Sequence, residues 1–274
     1  MNFDNNSFET KYLSGNELYG DDFSDAEVAK WHKDEEEAYF RLSNTRPSIR
    51  PKYQYHSLNA VCGFSQLKAV TFNRILGFGS AYGDELLPIA GQAREVHILE
   101  PSSNFQSQTL LDGTPCQYHK PTKNGILPFD ANYFDVVTCF GVLHHIPNVT
   151  SCLKELFRVT SPNGHVLLRE PIVSMGDWRR QRKGLTPRER GLPVQLLRDA
   201  TKLSGFQIES DGFCSFAPTR VLASALGIGY FNSHLLTRLD RLLAGAFSFN
   251  YRYHRKTLTD RFAPDSIFLV LKKH

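Results

Sequence analysis

Paired cysteines are missing from this chain. Its five, Cys62, Cys116, Cys139, Cys152 and Cys214, are odd in number and scattered, with no C-x-x-C among them. Neither a disulfide framework nor a zinc knuckle is supported, and a reducing cytoplasmic compartment is the expectation. The ten histidines contain no H-E-x-x-H, and no serine sits in a G-x-S-x-G elbow. No metal site is therefore expected, and no nucleophile-elbow chemistry. No uncharged apolar run approaches the roughly 18 residues of a membrane span. The opening MNFDNNSFETKY lacks the basic and apolar regions of a signal peptide, so a chain that is neither secreted by that route nor membrane-spanning is expected. Internal repeats and low-complexity tracts are absent, as are the RRM, KH and zinc signatures of nucleic-acid binders.

What is present is ordinary for a globular protein: 274 residues, 41% hydrophobic and 22% charged. That length buries a full core, as one large domain or one domain with appendages. The net charge of +4 hides an asymmetry. Residues 1–40 carry eleven acids against Lys11, Lys30 and Lys33, a balance of −8, so the remainder carries +12. The basic surplus sits with the larger, later part of the chain.

The stretch Arg74 to Pro101 reads as a strand (Ile75, Leu76), a turn of small residues (Gly77, Gly79, Ala81, Gly83), a helix, and a second strand closing on Glu100. Small residues between strand and helix let backbone N–H groups approach a ligand, and an acid ending the next strand can hold a ribose diol. A dinucleotide fingerprint would need glycine where this chain has Tyr82. Counted as x-x-G-x-G-x-G, the turn resembles the first motif of class I S-adenosylmethionine (SAM) methyltransferases. A second block, residues 126–171, is similar to the downstream half of the type 11 methyltransferases. Leu127-Pro128-Phe129, Phe134-Asp135-Val136-Val137, Leu143-His144-His145, Glu155, Arg158-Val159 and Pro162-Asn163-Gly164 fall in the family's order.

The resemblance implies an α/β fold, a Rossmann-like class I methyltransferase sheet that is mainly parallel with an antiparallel last strand. The residue pattern agrees. Cys116 to His119, Phe134 to Cys139 and Val166–Leu168 read as successive strands, Leu192–Ser204 as a helix stopped by Gly205, and Phe206–Phe216 with Ser266–Lys272 as the closing pair. Pro88 falls inside the helix expected after the Gly turn and should kink it. Residues 1–57 form an N-terminal helical extension and 58–274 the methyltransferase domain. Residues 1–22 are expected to be loosely packed. Ser24 and Glu27 make a capping box for the helix that follows, whose acidic run Asp34 to Glu37 is either a solvated face or a patch docking on the basic parts of the same protein. The domain carries a basic loop at 173–193 and a helical insertion at 218–264. That insertion packs within the molecule, forms a homodimer face, or rests on a membrane surface.

For the site, the resemblance implies SAM as cofactor. Gly77, Gly79, Ser80, Ala81 and Gly83 meet its methionine end, Glu100 its ribose, and Phe140 and Gly141 flank it. Apart from the resemblance, Tyr53, Tyr55 and His56 either close over it from the N-terminal side or serve core or linker packing. Two positions depart from the family: Gly77 replaces the acid expected to meet the SAM amino group, with Asp84 or water as substitute, and Asn124 stands where an acid usually meets the adenine. These departures keep alive an alternative, a catalytically inactive SAM-fold binding or scaffold protein. His144, His145 and Glu170 follow the fourth and fifth strands, where a base for the acceptor's proton belongs. The acceptor is expected to be a small molecule or glycan, methylated on oxygen or nitrogen. Arg179 and Arg180 in the basic loop suggest that it is anionic, with Trp178 stacking on a ring of it; the other reading of the loop is a solvated basic stretch.

Overall fold

A computed structural model describes residues 9–36, 38–43, 52–68, 71–122 and 125–274. Phe134–Phe140 has only Asp135 and Thr138 as polar interruptions, and it forms β4 in the middle of a seven-stranded sheet, as a strand buried on both faces must. Its companions are β1 (Phe72–Phe78), β2 (Ala93–Leu99), β3 (Gln117–His119), β5 (Thr160–Pro171), β6 (Gln207–Phe216) and β7 (Pro264–Lys272). The spatial order is β3-β2-β1-β4-β5-β7-β6. Every pairing is parallel except those of β7, which is antiparallel to both β5 and β6. The mainly parallel sheet with an antiparallel last strand is thus as the sequence implied.

The helices are α1 (Asp25–Glu35), α2 (Ala38–Ser43), α3 (His56–Cys62), α4 (Leu87–Ala90), α5 (Val149–Val159), α6 (Val194–Leu203), α7 (Ala217–Ala225) and α8 (His234–Ala246). On one face of the sheet, Leu153 and Leu156 of α5 and Leu197 of α6 pack on Leu76, Val137, Leu168 and Leu269. On the other, Leu86 and Ile89 cover Ile75, Val96 and Ile98, while Leu58 and Cys62 of α3 cover Leu167, Phe268 and Val270. The resemblance block holds together through charge. Glu155 of α5 accepts the Leu127 N–H at 2.8 Å, and Arg158 donates to the Phe129 and Leu127 carbonyls at 2.8 and 3.0 Å. Glu155 and Arg158 therefore pin the Leu127-Pro128-Phe129 segment before β4.

Three expectations need correction. The helix after the Gly turn is one short turn of 3-10 geometry (Asp84–Leu86) followed by four residues, and Pro88 lies in its first turn, where a missing N–H costs nothing, so there is no kink. The described part of the first 22 residues is packed. Tyr12 and Leu13 are buried against Trp178 and Tyr253, and Asp21 accepts the N–H of Thr150 at 2.9 Å, a negative charge at the start of α5. The acidic run docks on the protein's own body: Asp34 pairs with Arg188 at 2.8 Å, and Glu35 is buried. Glu37 lies outside the described residues.

In the insertion, α8 buries Leu236 and Ala244, and its Asp240 accepts the N–H groups of Ser215 and Phe216 at 2.8 Å each. One side thus packs within the molecule. Leu235 and Leu242 on the other side are exposed. No helix among the described residues is long and apolar enough to cross a membrane.

Candidate active site

The strand order reverses between β1 and β4, and in such a sheet ligands collect outside the carboxyl ends of those strands. The Gly turn leaves β1 at that point. Gly79, Ala81 and Gly83 all have positive φ, at +64°, +48° and +73°, a conformation that folds the turn tightly: the Gly79 N–H donates to the Leu99 carbonyl at 2.8 Å and the Gly83 N–H to that of Ser80 at 2.7 Å. A Cβ on Gly79 would stand 2.5 Å from the Val142 side chain, so the turn and the loop after β4 meet with no room for a larger residue. Glu100, buried at the exit of β2, accepts the N–H of Ala81 and of Ser102, each at 3.1 Å. Its carboxylate therefore shapes the turn as well as standing where a diol would be read.

Gly77 has a local explanation. A Cβ there would lie 2.0 Å from the Ser80 Oγ, so this hydroxyl occupies the space where a side chain at 77 would begin. That Oγ is buried and has no hydrogen-bond partner among the described residues. His56 Nδ1 is buried and unpartnered too, with the Asp84 charge acting on its ring. Buried polar atoms left unmade cost roughly 1–3 kcal/mol each. Two of them beside a glycine cradle fit a polar ligand such as the methionine end of SAM. Asp84 is buried next to this turn, and Asn124 lies outside the described residues.

Beyond β4, Glu170 collects the loop. It accepts the N–H groups of Val142 and Leu143 at 2.9 and 2.8 Å and faces His144 Nδ1 at 2.8 Å. Gly141, with φ +73°, starts this loop, and Phe140 precedes it. His144 Nε2 lies 3.5 Å from Glu189 Oε1. Burial works against a charged His144, yet Glu170 and Glu189 outweigh it and hold the imidazole up at about 9. Burial and the neighbouring His144 charge push His145 the other way, down, and its Nδ1 sits 2.8 Å from Glu35 Oε2. The two neighbouring imidazoles are thus pushed in opposite directions. Glu35 and Glu189 complete this cluster from 110 and 44 residues away, and sequence spacing gave no sign of either.

One further residue went unnoticed in the sequence. Arg169, one before Glu170, is buried with its guanidinium 3.9 Å over the Tyr55 ring and 5.3 Å from that of Phe140. The one hydrogen bond of its guanidinium among the described residues is to Asn59 Oδ1 at 3.2 Å.

In the basic loop, Trp178 is buried, stacked on Tyr19 at 5.0 Å, and donates to the Ser174 carbonyl. A ring held this way belongs to the packing of the N-terminal segment and is not placed to stack on an acceptor. Arg179 pairs with Asp177 at 2.8 Å, whereas Arg180 is 84% exposed. Arg190 is spent on carbonyls, those of His144 and Ile146 at 2.8 Å.

A methyltransferase-domain family matches residues 43–225, well over half of the chain. The chain belongs to that family. Its members are SAM-dependent, and SAM is the cofactor that the cradle of this methyltransferase domain fits. Ubiquinone biosynthesis O-methyltransferase of Pseudomonas fluorescens is 32% identical over 66 residues, 24% of this chain and 28% of that protein. Demethylmenaquinone methyltransferase of Bacillus subtilis is 36% identical over 89 residues, 31% of this chain and 38% of that protein. The chain therefore spans less than two fifths of these curated relatives. Among solved structures, the [4+2]-cyclase SpnF superposes with a TM-score of 0.55 at 14% identity, covering 92% of this chain and 97% of that one. A SAM-dependent methyltransferase from Mesorhizobium loti gives 0.51 at 18%, covering 76% and 94%. Likeness at such identities shows the shared fold alone.

Proposed function

We propose that the chain transfers a methyl group from SAM to a small-molecule acceptor. The observation that carries this is the Glu100-held turn, with the unpartnered Ser80 Oγ and His56 Nδ1 beside it. Bound SAM supplies a methyl group on a positively charged sulfur, already activated for displacement. The chain's own task is alignment, which is worth several kcal/mol. Glu170 fixes the Val142 to His144 loop beside the turn, and Val142 closes against Gly79. Glu170 is engaged by the Val142 and Leu143 N–H groups and by His144 Nδ1, so Glu170 and His144 act as positioning groups for that loop. The extension, residues 1–57, serves this reading by delivering Glu35 to His145, and the domain proper is residues 58–274. Of the two departures on which the binding-only alternative rested, Gly77 has the Ser80 hydroxyl in the space its side chain would take, and Asn124 lies outside the described residues.

The same reading extends to an anionic acceptor, a small molecule or glycan methylated on oxygen or nitrogen. Arg169 supports it: a buried guanidinium with aromatic walls and a single protein partner, at the end of β5 beside Phe140, is built for a carboxylate or phosphate. Arg180 and Lys183 at the rim add positive charge to the approach.

Calorimetry with SAM and S-adenosylhomocysteine tests the first part, and the absence of binding for both would overturn it. Labelled SAM with a fractionated extract then finds the acceptor. With that acceptor, Arg169→Gln should raise KM at least tenfold and leave SAM affinity unchanged. If the variant weakens SAM and spares the acceptor, the anionic reading falls.

A further inference from the structure

Apart from the cofactor turn, the fold gathers two histidines and a glutamate at one point. One ligand atom from each of His144, His145 and Glu189 lies within 4.8 Å of the other two. His144 Nε2 and Glu189 Oε1 are 3.5 Å apart. A charge-assisted hydrogen bond would close to about 2.7–2.9 Å. Two ligands held about 2.0–2.1 Å from one tetrahedral cation would instead stand about 3.4 Å from each other, close to the spacing of this pair, and the third ligand atom, within 4.8 Å, has to draw in on binding.

The far sides of all three groups are already anchored. His144 Nδ1 is 2.8 Å from Glu170 Oε2, and His145 Nδ1 is 2.8 Å from Glu35 Oε2. Glu189 Oε2 accepts the Thr186 N–H at 3.0 Å. A carboxylate on one ring nitrogen is how proteins orient a histidine whose other nitrogen binds a metal. Here two adjacent histidines have that arrangement, each with its own buried carboxylate.

We propose that His144, His145 and Glu189 form a binding site for a first-row divalent cation such as Zn²⁺ or Mn²⁺, which on binding displaces to solvent the proton that His144 Nε2 holds towards Glu189 in the ion-free chain. Two imidazoles and a carboxylate suit these ions better than Mg²⁺ or Ca²⁺, which favour all-oxygen shells. Three protein ligands leave a coordination position open, the arrangement of a site that presents the ion to a ligand oxygen. The His145 side chain is 19% exposed, which gives the ion an entry path. Because Glu35 and Glu189 come from the N-terminal helix and the basic loop, the site exists only in the folded chain, and the ion should stabilise it.

The test uses the full chain, stripped with chelator and titrated calorimetrically with Zn²⁺ and with Mn²⁺, SAM affinity being measured on the same samples. One equivalent should bind, raise Tm, and bind about 10- to 100-fold more weakly in His145→Asn and Glu189→Gln, with SAM affinity unchanged. Saturable binding that both variants retain would mean ligands elsewhere among the ten histidines, and the proposal would fail. No saturable binding in the parent chain would also overturn it, leaving the cluster an ion-pair network that seals the N-terminal helix. Should the variants not fold, Co²⁺ on the parent chain decides: strong visible absorption marks four-coordinate N/O ligation, and the weak spectrum of a six-coordinate ion contradicts the site. SAM binding is independent of all these outcomes, so its loss would count against the methyltransferase reading and not against the metal site.

Discussion

Glu100→Gln separates the two duties assigned to that side chain. In the parent, the buried carboxylate accepts from Ala81 and Ser102, both at 3.1 Å. The amide keeps the shape but presents one N–H₂ to a backbone N–H, so one of the two bonds is lost. A hydrogen bond to a charged group is worth about 1.5–3 kcal/mol. Part of that loss falls on the turn itself and will show in ligand-free stability, measured by urea denaturation. The contact to the ribose hydroxyls is lost only in the complex. The effect on SAM affinity should then be that of the complex-only contact, about 1.5–3 kcal/mol, or roughly 10- to 150-fold in Kd. Calorimetry at fixed ionic strength reads it, with S-adenosylhomocysteine as a second ligand that shares the ribose. Glu100→Asp, which keeps the charge but withdraws it by one methylene, should fall between. If Glu100→Gln binds SAM within about threefold of the parent, the diol is read elsewhere and the argument from this strand exit fails.

Gly79→Ala should destabilise the ligand-free chain by about 2–4 kcal/mol, combining the left-handed backbone with overpacking, since its Cβ would press on Val142 at 2.5 Å. Adding Val142→Ala should restore only the packing part; full recovery would mean that backbone strain is negligible. Glu85 gives a pH signature. Burial, partly offset by the Thr138 hydroxyl bond and Arg169, raises its carboxyl from 4.5 to about 7. The folded chain therefore binds more protons than the unfolded one between these values, so Glu85 makes stability fall as pH rises from about 4.5 to about 7, with no further change above. Glu85→Gln should remove that slope and leave the variant more stable at pH 8 by on the order of 3 kcal/mol. A parent-minus-variant difference that stays flat across pH 4–8 would refute it.

Local chemistry was legible because it depends on neighbours in the chain. The apolar run of β4, the capping box at Ser24 and Glu27, and the small residues of the Gly turn each announce their own conformation. The family pattern in residues 126–171 was legible for a related reason: Glu155 and Arg158 do their work on Leu127 and Phe129, within about thirty positions. Periodicity failed at Asp84 to Ala90. An apolar stretch with a proline continues as helix or stops according to what packs over it, and here β2 follows at once.

The sequence alone determined the fold class, the turn of small residues after the first strand with Glu100 at the exit of the second, and the place of His144 and His145 after the fourth strand. Those follow from period, turn chemistry and strand order. Tertiary structure decided which charges meet. Asp34 and Glu35 read equally well as a solvated face until Arg188, Thr186 and His145 are found against them. Trp178 reads as an exposed stacking platform until Tyr19 covers it. The protonation states of the two histidines depend on Glu35, Glu170 and Glu189 arriving from three separate stretches. The physical reason is range. Secondary structure is chosen by interactions a few residues long, whereas burial and electrostatic pairing are set by groups a few ångströms apart in space, whatever their distance along the chain.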